Sequence, residues 1–208
     1  MMDPNITASI LNVLLAVAFL FIALRAFVLY TQLRSPRLFI LGLSMTVIAL
    51  TSGADFASGV VTNIHLNTDW FLYVGQFVSF TFIFLSLVFC STLSLRRLIY
   101  WHILATGMVL LLLILAPVLP GFPNTLTQFI LSFARFMICF MLFSYYISSL
   151  VSKGTRFGIL ISAAFLLLSI GYCLILPKLL VSHVEFLDQI GDITRIVGII
   201  VLLSAYMT

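Results

Sequence analysis

The sequence predicts an all-α membrane fold: a seven-helix integral membrane bundle with its N-terminus outside and its C-terminus in the cytoplasm. Three observations predict it. The first is composition: 63% of the 208 residues are hydrophobic, 8% are charged, and the mean hydropathy is +1.27. Soluble domains carry roughly 25% charged residues. A water-soluble core cannot absorb so much apolar surface in so short a chain, so lipid must solvate much of it. The second is a series of seven apolar runs, each near the roughly 20 residues that a transmembrane helix needs. The third is the segregation of charge. The bases cluster as Arg34/Arg37, Arg96/Arg97 and Lys153/Arg156, while the acids Asp3, Asp55, Asp69, Glu185, Asp188 and Asp192 lie elsewhere.

The whole chain, 1–208, reads as one transmembrane domain. Helix one is expected over about 6–32, stopped by Ser35-Pro36 because proline disfavours helix in the residue before it. Helix two covers about 38–62 and helix three about 71–94. Helix four covers about 98–119 and ends in a turn made by Pro117, Pro120, Gly121 and Pro123. Helix five covers about 124–152, and Gly154 opens the turn to helix six at about 157–181. Helix seven covers about 187–207. No soluble domain is expected within these residues.

The basic turns after helices one, three and five set the orientation. The turns after helices two, four and six hold His65, Asp69, His183 and Glu185 and no Arg or Lys, with Lys178 near the end of helix six. The positive-inside rule then places the basic turns in the cytoplasm. The segments LRSPRLFIL at 33–41, LSLRRLIYWHIL at 93–104 and LVSKGTRFGIL at 150–160 each read as helix end, basic turn and helix start. Three hairpins plus a closing helix fit that spacing. So does any short-looped polytopic chain, which places a basic turn every two spans.

Once those bases are assigned to topology, four ionisable groups stand out inside the apolar runs: Asp55, Arg135, Asp192 and Arg195. Such groups are costly in hydrocarbon and persist when paired or wet. Depths from a rise of about 1.5 Å per residue put all four in the outer half of the bilayer. Helical spacing adds neighbours on the same faces. Asp188, Asp192 and Arg195 share a face of helix seven, beside Gly191 and Gly198. Gln128, Ser132, Arg135 and Cys139 share one of helix five. Ser52, Asp55 and Gly59 share one of helix two. Gln76 and Ser79 of helix three lie at similar depth. The candidate cluster is therefore Asp55, Gln76, Gln128, Arg135, Asp188, Asp192 and Arg195. It reads either as an outward-facing pocket for a small ligand or ion, or as a salt-bridge clamp between helices two, five and seven. Arg25, near the inner end of helix one, is expected to extend its side chain to the interface.

Other chemistries lack their residues. Cys90, Cys139 and Cys173 form no CxxC pair and read as small buried hydrophobes. His65 and His183 fall in outer turns. His102, beside Tyr100 and Trp101, reads as an interfacial anchor. Helix seven has no lysine for a retinal Schiff base. No HExxH occurs, and no glycine-rich phosphate loop. No catalytic residue, metal site or cofactor is expected, and the net charge of +4 is no nucleic-acid signal. Asn5-Ile6-Thr7 fits a glycosylation sequon. In a transporter, helices two and six would break at Gly53, Gly59, Gly171 or Pro177. The odd helix count argues against a simple inverted repeat.

Three segments resemble the N-terminal membrane sensor modules of prokaryotic histidine kinases. They are IALRAFVLYTQLRSPRLFILGLSMTVIALTSGADF at 22–56, SSLVSKGTRFGIL at 148–160 and IGDITRIVGIIVLLSAYM at 190–207. The resemblance implies sensing of a membrane-dissolved or external cue in a prokaryotic cell membrane. It departs in one respect: these residues include no output domain, so the expectation is that a partner supplies it. The leading expectation is a non-catalytic sensor or receptor-like module whose partners are membrane lipids and a membrane or cytoplasmic protein. The rival is an accessory subunit of a larger membrane complex, and a small-solute or ion transporter ranks third.

Overall fold

Among the described residues seven helices follow one another: α1 (Pro4–Leu33), α2 (Pro36–Val60), α3 (Asp69–Val88), α4 (Thr92–Leu115), α5 (Thr125–Lys153), α6 (Arg156–Leu180) and α7 (Glu185–Met207). Each includes a stretch of 19 to 25 residues long and apolar enough to cross a membrane. The computed structural model describes residues 4–60, 67–89, 91–119, 125–153, 156–180 and 185–207. The side chains of 4–10, 59–60, 150–153, 178–180, 185 and 188 lie outside that description. So do Asp3, His65, Cys90, Pro120, Gly121, Pro123, Gly154 and His183, together with the side chains of the Asn5 sequon, Lys153, Lys178 and Glu185.

Local chemistry fixes the helix ends. Arg34 has a φ of 49° and its amide donates to the Tyr30 carbonyl at 2.8 Å. This left-handed step closes α1, as C-terminal caps commonly do. Pro36 then opens α2, where its missing N–H costs nothing. The α3–α4 junction falls earlier than the sequence predicts. α3 stops at Val88, Phe89 is extended, and Ser91 caps α4 by accepting from the Ser94 amide at 3.1 Å. An N-cap serine satisfies an amide that would otherwise lack a partner. Arg96 and Arg97 therefore lie in the first turns of α4 rather than in a loop. The proposed breaks are absent: α2 runs through Gly53 and Gly59, and α6 runs through Gly171 and Pro177 to Leu180. Pro177 sits close enough to the helix end that few backbone bonds depend on it.

The chain forms two compact units. One comprises Met1–Leu14 with Asn124–Thr208, and the other Leu15–Pro123. In the second unit α1 meets α2 through aromatic contacts, with Phe27 and Tyr30 ring centroids 6.0 and 5.3 Å from that of Phe39. α2, α3 and α4 pack around two apolar clusters, Ile40/Leu95/Leu98 and Val47/Phe71/Val109.

In the first unit α6 packs against both α5 and α7. Its buried face is Ile161, Ala164, Phe165, Leu168 and Tyr172, at helical spacing. Tyr146 of α5 stacks on Phe165 at 5.8 Å. The α6–α7 contact is closer. A Cβ on Gly171 would stand 2.9 Å from the Gly191 carbonyl oxygen, and a Cβ on Gly191 3.0 Å from that of Gly171. Small residues let helices approach to van der Waals contact, which matters where lipid supplies no hydrophobic drive for association.

Most hydroxyls are satisfied within their own helix. Thr46, Thr51, Ser79, Ser86, Ser162, Thr194 and Ser204 each donate to a carbonyl three or four residues earlier. Such bonds keep a helix self-sufficient in an apolar medium. They leave few polar groups available for contacts between helices.

Candidate functional site

In the α5–α7 unit, α5 and α7 bring charge to an aromatic ring on α6. Arg135 of α5 is 4% exposed, Tyr172 of α6 is 3% exposed and Asp192 of α7 is 8% exposed. The guanidinium carbons of Arg135 and Arg195 lie 5.0 and 5.4 Å from the Tyr172 ring centroid. Arg195 pairs with Asp192 one turn earlier on α7. Arg135 also donates to the Ser132 hydroxyl at 3.1 Å. A cation over an aromatic face is worth roughly 0.5 to 2 kcal/mol, more when desolvated. Two such contacts on one ring, with an ion pair beside them, tie the helices together and order the charges.

The order of these residues follows from helix geometry. Arg135 and Ser132, three apart, share a face of α5, as do Cys139 and Gln128 at four and seven residues from Arg135. Cys139 is fully buried there and Gln128 half-buried. On α7, Asp192 and Arg195 are likewise three apart, and Gly191 and Gly198 press the same helix onto α6. The Asp188 side chain lies outside the described residues. Arg195 and Asp192 retain 15% and 11% side-chain exposure.

The sequence-predicted cluster thus distributes over both units. Gln128, Arg135, Asp188, Asp192 and Arg195 belong to the α5–α7 unit, and Asp55 and Gln76 to the other. Gln76 is buried on α3 at 3% exposure. Asp55 is half-buried and accepts from the Thr68 hydroxyl at 3.1 Å, with Ser58 3.2 Å from the same hydroxyl. Thr68 precedes α3 without capping it through its side chain. Its hydroxyl instead links the end of α2 to the start of α3.

Two residues have a different place from the one the sequence predicts. His102 is 1% exposed, not interfacial, while Tyr100 and Trp101 are 75% and 60% exposed. The early start of α4 is the reason: His102 lies ten residues in, about 15 Å from Thr92. It stacks on Phe82 at 4.2 Å and its Nε2 lies 3.3 Å from the Ser44 hydroxyl. Cys173 is exposed, unlike Cys139, because it follows Tyr172 onto the outward face of α6. Arg25 is half-exposed, consistent with a side chain reaching outward.

Tyr172 is the member that the sequence reading missed. A signal for it existed. Tyrosine favours membrane interfaces, and Tyr172 stands eight residues, about 12 Å, from the end of α6. A tyrosine so deep needs polar company. Among the described residues no group of three or more His, Cys, Asp and Glu could hold a metal. No family model, curated protein or solved structure matches the chain.

Proposed function

We propose that the chain is a non-catalytic integral membrane protein that works as a sensor or receptor-like module, with the charged group on α5–α7 as its site. The observation that carries this reading is the Arg135–Tyr172–Arg195–Asp192 assembly, in which the α7 charges keep 15% and 11% exposure. A pure clamp in hydrocarbon gains from complete burial, since exposed charge is costly there. The remaining exposure supports contact with water from the outer side. Arg195 and Asp192 would receive a polar or charged ligand, which would shift α7. α6 would follow it through the Gly171–Gly191 contact. A cytoplasmic partner would read the change.

The orientation in this proposal has the N-terminus outside and the C-terminus inside. It is supported by Arg34, Arg37, Arg96, Arg97 and Arg156, all exposed at the α1–α2, α3–α4 and α5–α6 junctions. The resemblance to histidine-kinase membrane modules at 22–56, 148–160 and 190–207 agrees with a signalling role in a prokaryotic cell membrane.

A second reading is an accessory subunit of a membrane complex. It is favoured by broad outward apolar faces, including Leu93, Ile103 and Ile114 of α4 and Leu126 and Ile130 of α5. One experiment separates the two. Gln189, half-buried one turn before Asp192 on α7, is changed to Cys in a chain whose native cysteines are alanine, and intact cells are treated with a membrane-impermeant thiol reagent. Labelling from outside is expected. A thiol that reacts only after denaturation would mark a sealed cluster and replace the sensor reading with the subunit reading.

A further inference from the structure

The α2–α4 unit carries a second feature, distinct from the charged group on α5–α7. At the start of α4 an open groove of about 280 Å³ is lined by Phe89, Ser94, Arg97, Leu98 and Trp101. Arg37 of α2 donates to the Phe89 carbonyl at 3.3 Å, so a second guanidinium stands at the edge of this groove. Arg96 and Arg97 are both exposed here. No Asp or Glu occurs in 4–54 or in 70–184. Asp55 and Asp69, the acids of this unit, lie toward the opposite ends of α2 and α3. Arg37 and Asp55 are eighteen residues, about 27 Å, apart along one helix. The groove is therefore basic with no acid on the helix ends that form it.

The same face of α4 continues as a second groove, of about 490 Å³, that is almost wholly apolar. Ala105, Met108, Leu112 and Leu115 line it from α4, and Val74 and Val78 from α3. Arg97, Trp101, Ala105, Met108, Leu112 and Leu115 succeed one another at intervals of three or four residues, which is one helical stripe. The apolar groove begins about 12 Å from Arg97. That is within the depth of one leaflet of a core about 30 Å thick. A polar end with two arginines, a serine and an exposed tryptophan thus stands on the same stripe of α4 as an apolar trough.

We propose that this stripe binds a phospholipid with an anionic headgroup: its phosphate on Arg37 and Arg97, its glycerol region beside Ser94 and Trp101, and one acyl chain in the α3–α4 groove. Arginine suits the task because its planar fork pairs with phosphate oxygens in bidentate fashion. Basic pockets between membrane helices on the cytoplasmic side are the recurrent form of such sites, and tryptophan favours the headgroup level. The inference rests on the chain being a membrane protein, and not on its being a sensor. The site is unconnected with labelling of Gln189→Cys, so failure of one leaves the other standing.

The test uses the full chain purified in mild detergent, with lipid binding read by native mass spectrometry. Dioleoyl-phosphatidylglycerol and dioleoyl-phosphatidylcholine are compared, because they share acyl chains and a phosphodiester while only the first has a net negative headgroup. The phosphatidylglycerol is expected to bind about tenfold tighter. Changing both Arg37→Gln and Arg97→Gln should bring it down to the phosphatidylcholine level, while Arg156→Gln in the other unit should leave the preference intact. Met108→Trp should weaken the long-chain lipid and spare dihexanoyl-phosphatidylglycerol. All these residues but Met108 are exposed arginines, and an unchanged far-ultraviolet spectrum checks that each variant is folded. Equal binding of the two lipids would overturn the proposal. So would an equal loss from Arg156→Gln, which would indicate general positive charge, or displacement by inorganic phosphate, which would indicate a simple anion site.

Discussion

The two units of this chain have similar apolar composition and hold together by different means. In the α5–α7 unit, backbone meets backbone: Gly171 and Gly191 each leave no room for a Cβ beside the other's carbonyl oxygen. Charge is held in the space beside that contact, on Tyr172. In the α2–α4 unit, side chains meet side chains around Val47, Phe71 and Val109, and open grooves remain along α4. Glycine placement thus gives one unit a backbone-to-backbone contact beside its charges, while the other presents grooves along α4. Hydropathy varies from span to span within each unit and says little about where polar chemistry collects. Close helix approach does, because it orders long cationic side chains against a neighbour.

The sharpest way to break the comparison is to remove charge from the tight unit. Arg195→Leu leaves the Asp192 carboxylate without the guanidinium it pairs with; breaking a fully buried pair from one side costs about 3–5 kcal/mol, and the exposure that this pair keeps lowers the figure. A large fall in the thermal midpoint in detergent is expected. A midpoint within a degree or two of the parent would show that this charge does not organise the unit.

Alanine at two glycines tests the packing directly. Gly171→Ala must push against the Arg195 side chain and, behind it, the Gly191 carbonyl and Arg195 amide of the α7 backbone, and overpacking of that kind costs about 1–3 kcal/mol. At Gly75→Ala the new methyl would lie 2.5 Å from the Thr51 methyl and 3.2 Å from Val109, both of them side-chain rather than backbone atoms. The smaller loss is therefore expected at Gly75. The reverse order, read by the same thermal unfolding, would contradict the distinction between backbone and side-chain packing.

Tyr172 separates ring from hydroxyl. Tyr172→Phe keeps a π face under both guanidinium groups, whereas Tyr172→Leu removes it, at about 0.5 to 2 kcal/mol for each guanidinium that the ring holds. Tyr172→Leu should therefore unfold at a clearly lower temperature than Tyr172→Phe. Equal falls in the midpoint would mean that the phenol hydroxyl, and not the ring, carries the interaction.

The smallest effect is expected in the looser unit. Ser44→Ala removes the hydroxyl beside His102 Nε2, and one net hydrogen bond is worth about 1 kcal/mol. The Phe82 stack on His102 should remain and limit the effect. A destabilisation as large as that of Arg195→Leu would show that His102 anchors its unit as strongly as charge anchors the other.

Much of this was legible beforehand, for reasons that individual residues make plain. Ser35-Pro36 marks the end of α1 because proline restricts its predecessor, and α2 begins on Pro36 itself. Arg135, Asp192 and Arg195 are conspicuous because any charge in an apolar run is. The α3–α4 boundary was not legible. Phe89 belongs by composition to either helix, and the break depends on Ser91 turning its side chain to the Ser94 amide. The misplacement of His102 follows from that single shift of the helix start. Tyr172 was missed because its role appears only when α5 and α7 both bring an arginine to α6.

The sequence by itself determined seven apolar helices, their approximate limits and the separation of basic junctions from buried charge. Those properties depend on length, hydropathy and local backbone preference, all of which act between residues close in the chain. The tertiary structure alone decided which charges meet and on what. Arg135 and Arg195 are sixty residues apart, and no local preference relates them. Their common position on Tyr172 follows from α6 packing between α5 and α7, and from two glycines that bring α7 within backbone contact of α6.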